Sequence, residues 1–125
     1  MTENEIGKII VNSAYNVHKE LGPGLLESAY EECLFFELLG NNLKAEKQKP
    51  LPLKYKQVFI DCSYRLDIIV EEKVIIEVKA VEDLSKIHLA QVLTYLKLTN
   101  CKLGFLINFN TLQIKNGLKR IVNGL

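Results

Sequence analysis

The sequence predicts an α/β or α+β domain in which helices lie against a mixed β-sheet. Apolar residues recur at helical spacing over residues 6–21 and again over 84–98. Three apolar runs, YRLDIIV (64–70), VIIEVKA (74–80) and KLGFLINF (102–109), have the length and residue types of strands. Two helices, a run of strands, a helix and a last strand follow one another without a linker, a repeat or a low-complexity segment. At 125 residues the chain is expected to be a single domain, 1–125, long enough to bury a core.

Taken in order, Thr2 and Glu5 fit a capping box that opens the first helix. Ile6, Ile9, Ile10, Ala14, Val17 and Leu21 form its apolar stripe, and Gly22-Pro23-Gly24 stops it. A second helix is expected from Leu25 to Leu39, ending at Gly40-Asn41-Asn42. Pro50 and Pro52 confine the first strand, near Lys44-Ala45-Glu46, to a short segment or a sheet edge. QVFIDC (57–62) reads as a further strand. Asp83 is the expected N-cap of a helix from Leu84 to Leu98. A polar C-terminal piece follows the strand at 102–109.

The net charge is only +1, so no global positive field advertises a nucleic-acid partner, and such a partner would need a local patch. Lys44, Lys47, Lys49, Lys54 and Lys56 form one basic stretch, with phosphate contact and a solvated loop as its two readings. Cys33, Cys62 and Cys101 are odd in number and far apart, which argues against zinc and a disulfide framework and predicts buried free thiols. No apolar run is long enough to span a membrane and no signal-peptide pattern is seen, so a cytoplasmic protein without membrane attachment is expected.

The run VIIEVKA poses the chemical question. Alternation puts Glu77 and Lys79 on one face and Val74, Ile76, Val78 and Ala80 on the other. Only Glu71-Glu72-Lys73 separates this run from YRLDIIV, which is hairpin length. A three- or five-residue loop opposes Val70 to Val74, Ile69 to Ile75, Ile68 to Ile76 and Asp67 to Glu77. Opposed acids repel, so this pair calls for a cation. Lys79 and Arg65 on the same face are one source, and a divalent ion such as Mg²⁺ held by hard oxygen ligands is another. The hairpin alone does not choose between a metal site and a solvated face crossed by salt bridges.

The helices add candidates. Over 84–98, Leu84, His88, Gln91 and Tyr95 fall in one stripe flanked by Ile87, Val92 and Leu98, with Lys86 and Lys97 opposite. A glutamine within an apolar face needs partners, and a site on the sheet would provide them. His88 by itself reads as a structural histidine. In GLLESAY (24–30), Glu27 lies at the edge of an apolar arc near Leu34 and Leu38. Glu31 and Glu32 are expected further round, in solvent. Glu27 also suits a helix N-terminus as a simple dipole partner.

Asp67, nine intervening residues and then Glu77-Val78-Lys79 resemble the catalytic signature of the PD-(D/E)XK nuclease superfamily, with Leu66 in place of its proline. Gln91-x-x-x-Tyr95 resembles the QxxxY motif of RecB-like nucleases, and Gly24-x-x-Glu27-x-x-Tyr30 is similar to the signature of the GxxExxY family within that superfamily. The resemblance implies a restriction-endonuclease-like core, a mixed β-sheet flanked by α-helices. It implies a Mg²⁺-dependent nuclease, with Mn²⁺ as a substitute, that hydrolyses phosphodiester bonds of DNA or, alternatively, RNA. Asp67 and Glu77 would bind the metal with the Val78 carbonyl as a third ligand, and Glu27 would add an acid. Lys79 would orient or activate water and stabilise charge on phosphorus, while Gln91 and Tyr95 would hold Lys79, substrate or water. These residue types suit the reaction, which needs a nucleophile at neutral pH and charge stabilisation at phosphorus. The competing reading is a non-catalytic nucleic-acid-binding or assembly module with the same fold. The small size and near-neutral charge favour that reading, or a nuclease that needs a homodimer or protein partner to grip its substrate. A purely structural domain with surface salt bridges is a third reading, opposed by the Gln91/Tyr95 stripe.

Overall fold

The structure, a computed structural model, describes residues 1–62 and 64–125. Helix α1 runs from Glu3 to Leu21, and its Thr2–Glu5 capping box is formed as the sequence predicts. Its buried face, Ile6, Ile10, Ala14 and Val17, repeats every three or four residues. The chain turns at Gly22 and Gly24, whose φ angles of 67° and 101° favour glycine. Helix α2 (Glu27–Gly40) starts two residues later than the spacing predicts.

Strands β1 (Ala45–Pro50), β4 (Arg65–Val70), β5 (Val74–Lys79), β6 (Leu103–Asn108) and β7 (Leu118–Val122) form one sheet in the order β1-β4-β5-β6-β7. Only the β5–β6 pairing is parallel, so the sheet is mixed, as predicted. β1 is an edge strand, in keeping with its prolines. Strands β2 (Leu53–Tyr55) and β3 (Val58–Ile60) pair only with each other. The expected strand QVFIDC is therefore half of a separate exposed hairpin and not part of the main sheet.

Two further expectations are corrected. Helix α3 spans Lys86–Thr99 and is capped by Ser85, not Asp83. Ser85 Oγ accepts from the His88 N–H while His88 Nδ1 accepts from the Ser85 N–H, a reciprocal pairing that neither Asp83 nor Leu84 can make. His88 is thus a structural residue. The strand at 103–108 is not the last, because a 3-10 turn at Ile114–Asn116 brings β7 back beside β6.

Helices α1 and α2 cover one face of the sheet, where Ile68, Val70, Val74, Ile76 and Val78 meet Tyr30, Leu34 and Leu38. Helix α3 covers the other, where Val92, Tyr95 and Leu96 meet Leu66, Ile75 and Leu106. At Gly104 a Cβ would come within 2.9 Å of Val92 Cγ1, so the missing side chain lets α3 settle onto β6. With both faces covered, β5 is almost wholly buried, which is why it reads as an unbroken apolar run. Ile87 departs from its expected place beside the apolar stripe and is exposed. Of the cysteines only Cys101 is buried; Cys33 is half-buried and Cys62 is exposed at the base of the β2–β3 hairpin, so the expectation of three buried thiols does not hold. All three are free. No helix among the described residues is long and apolar enough to cross a membrane.

Candidate active site

The β4–β5 register is the predicted one, with Ile68 opposite Ile76, Ile69 opposite Ile75 and Val70 opposite Val74. The connecting turn holds it without glycine, using positive φ at Glu71 (53°) and Glu72 (56°). Backbone pairing stops at Ile68 and Ile76. One step further, the Val78 N–H donates to Asp67 Oδ2 at 2.8 Å. The Asp67 N–H reaches Glu77 Oε1 at 3.5 Å. The strands part here, and the Asp67 carboxylate stands in the gap. In a strand, the C=O of a residue points to the same side as its N–H, so the Val78 carbonyl also faces this gap.

Glu77 shares the side of β5 that carries Ile75, under α3, and it is only 4% exposed. Burial, and then the charge of Asp67 beside it, push its carboxyl up to about 9. Lys79 is half-buried and attracts Glu77, but not closely enough to pair with it. The salt bridges among the described residues join Lys44 to Glu72, Lys47 to Glu32 and Lys49 to Glu46. Arg65 Nη1 donates to the Gln48 carbonyl at 3.3 Å instead of meeting an acid. The cross-strand salt bridges that would have explained the acid pair are thus absent among the described residues.

Helix α2 contributes an acid the sequence reading placed in solvent. Glu31 is half-buried, and burial and then the neighbouring Asp67 raise its carboxyl to about 7. Gln48, in β1, donates from Nε2 to Glu31 Oε1 at 2.8 Å and to Asp67 Oδ1 at 3.4 Å. Its φ of 53° is unusual for a non-glycine residue inside a strand, and such conformations cluster where function holds them. Glu32, by contrast, is exposed and pairs with Lys47, as a solvated residue should. The i, i+4 spacing of Glu27 and Glu31 was a signal for a shared helix face. Nothing in the sequence marked Gln48.

Glu27 is exposed and opens α2. With Leu26, Ser28, Glu31, Gln48 and Asp67 it lines a cleft of about 620 Å³. The GLLESAY segment shows how it is held there. Tyr30 is fully buried, stacks on Phe109 with ring centroids 4.7 Å apart, donates its hydroxyl to the Gly22 carbonyl at 2.6 Å and accepts from the Leu25 N–H at 3.1 Å. This clamp fixes the loop that delivers Glu27.

From α3, Tyr95 is buried and edge-on to Tyr64, with centroids 6.2 Å apart. Its phenol is pushed up by burial first and then by Glu77, Tyr64 and Asp67, which places it within electrostatic reach of the acid pair. Gln91, one turn earlier, is half-buried and has no hydrogen bond among the described residues, so nothing links it to Lys79. The structure therefore sets Asp67 beside Glu77, Glu31 and Gln48, with Tyr95 within electrostatic reach of Glu77 and Asp67. Glu27 sits across the cleft, Lys79 two residues along β5, and Gln91 at the margin.

Chemically, Asp67 and Glu77 offer hard oxygen donors side by side. Among the described residues no group of three or more His, Cys, Asp or Glu side chains could hold a metal ion. That argues against a closed protein cage. A family model described as the PD-(D/E)XK nuclease superfamily matches residues 4–121. Comparison with curated proteins and with solved structures gave no match.

Proposed function

Since this chain belongs to the PD-(D/E)XK nuclease superfamily, we propose that it is a Mg²⁺-dependent nuclease that hydrolyses phosphodiester bonds of DNA, with RNA as the alternative substrate. The observation that supports this best is the Asp67 carboxylate standing in the β4–β5 gap beside buried Glu77, with no salt bridge to either acid among the described residues. Burying two adjacent carboxyls is costly, and a site of this kind is expected where charge is to be supplied by something that binds. The match to the GxxExxY and QxxxY signatures belongs to the same proposal.

In this reading Asp67 and Glu77 hold the cation with the Val78 carbonyl. When bound, the cation supplies Lewis acidity toward water and phosphate. Lys79, which forms no salt bridge among the described residues, orients water and offsets negative charge on phosphorus. Glu27 and Glu31 bring further acids to the cleft, and Gln48 Nε2 donates to both Glu31 and Asp67, whose carboxyls also meet each other directly. Tyr95 and Gln91 form the wall toward the substrate.

The test is cleavage of labelled single-stranded, duplex and branched DNA and RNA, with Mg²⁺, Mn²⁺ or EDTA. Metal-dependent cleavage is expected, reduced about 10²–10³-fold or more in Lys79→Ala, the scale for losing one transition-state donor. Binding without cleavage under every metal would instead support the non-catalytic module. Wild-type rates in Lys79→Ala would remove that residue from the mechanism.

A further inference from the structure

The β2–β3 hairpin has no role in the site just described, yet it is the most unusual surface of the molecule. Tyr55, Val58, Phe59 and Ile60 are all exposed, with Phe59 at 69%. A two-stranded hairpin is marginal by itself, and apolar residues left in water on it are a liability unless something covers them. The cross-strand register sets Lys54 opposite Phe59 and Tyr55 opposite Val58. Lys54 Nζ lies 6.0 Å from the Phe59 ring centroid, and Lys56 Nζ lies 5.5 Å from that of Tyr55. Each exposed ring thus carries its own ammonium.

We propose that this hairpin is a docking arm for a single-stranded stretch of nucleic acid. Aromatic faces stack unpaired bases whatever their sequence, and lysines beside them meet the phosphates between those bases. A duplex keeps its base faces stacked, so the arm takes a single-stranded or frayed segment. Its position fits this use. The hairpin leaves the body of the protein where the Leu51 N–H bonds to the Tyr64 carbonyl at 2.8 Å, and Tyr64 touches Tyr95, which faces Glu77. A strand lying along the arm would run toward Tyr95 and the Glu77 side of the sheet. The substrate class rests on the nuclease reading. The stacking arm itself rests on the rings and lysines.

The experiment is equilibrium binding of end-labelled oligo-dT and oligo-rU in EDTA, where hydrolysis is off, with sedimentation of the same samples. Phe59→Ala and Tyr55→Ala should each weaken binding roughly 5- to 150-fold, the range of one base–aromatic stack. Phe59→Trp should keep affinity, and Phe59→Leu, apolar but without a π face, should lose it. Lys54→Ala with Lys56→Ala should flatten the salt dependence by about 1.4 in the log–log slope, for two phosphate contacts on a single strand. These side chains are exposed, so the melting temperature should not move. Unchanged affinity in both ring variants overturns the proposal. So does a wild-type dimer that Phe59→Ala converts to monomer, which would assign the face to a second copy of the chain. The two readings fail separately. Strand binding lost on these substitutions without cleavage under any metal defeats the nuclease and leaves the arm, whereas metal-dependent cleavage with unaltered binding does the reverse.

Discussion

At Glu77 the fold keeps a carboxyl where its surroundings favour the proton. Its folded value, about 9, lies above the ordinary 4.5, so the folded state holds a proton that the unfolded chain has released. The stability tied to that proton is fully present below pH 4.5 and is lost as pH rises toward 9. Glu31 adds to the loss between 4.5 and about 7. In EDTA the protein is therefore expected to become less stable from pH 5 to 9, and Glu77→Gln, which keeps the shape without the charge, should flatten that decline. Chemical denaturation across the range checks it, and a wild type of constant stability would contradict it. Asp67, Glu77 and Lys79 were legible in the sequence because strand alternation and a three-residue loop fix their faces and register. Glu31 and Gln48 were not. Glu31 is drawn in where α2 packs against β1 and β4, and Gln48 by a backbone conformation that propensity does not foresee in a strand.

Among the elements, the loop between α1 and α2 carries the clearest structural dependence. Tyr30 satisfies the Gly22 carbonyl and the Leu25 N–H with one hydroxyl while its ring stacks on Phe109. Tyr30→Phe keeps the stack and strands both backbone groups, so it should cost about 1–3 kcal/mol. It should also lower cleavage, because the start of α2 that carries Glu27 is no longer held. A variant with unchanged stability would show that water replaces the hydroxyl at no cost. The element boundaries show where sequence reasoning stops. The Thr2 cap was found because Glu5 completes a known box. The Ser85 cap was missed because a histidine completes it. QVFIDC reads as a strand because its residues favour strands, although among the described residues no third strand lies beside the β2–β3 hairpin it joins. β7 was missed because an edge strand that is mostly exposed carries little apolar pattern.

Across the molecule, helices cover both faces of the sheet, and β4 parts from β5 beyond Ile68 and Ile76 to leave an opening. The mixed sheet and its helices were legible because burial on two faces writes itself as apolar runs. The direction of β6 relative to β5 was not, since a run of apolar residues looks the same either way. We propose that this opening takes a divalent cation held by Asp67 and Glu77. Thermal melts of wild type and Asp67→Asn, each in EDTA and in Mg²⁺, test it most directly. The asparagine oxygen still accepts the Val78 N–H, while its amide group replaces the oxygen that accepts from Gln48 Nε2 at 3.4 Å, so the substitution removes the charge and that one long hydrogen bond. The account predicts that Mg²⁺ raises the wild-type melting temperature, because a ligand bound only by the folded state stabilises it. It predicts that Asp67→Asn melts at or above the wild-type temperature in EDTA and gains little from Mg²⁺. A wild type indifferent to Mg²⁺, together with an Asp67→Asn variant destabilised in EDTA by about 0.2–1 kcal/mol as for a lost surface ion pair, would contradict it.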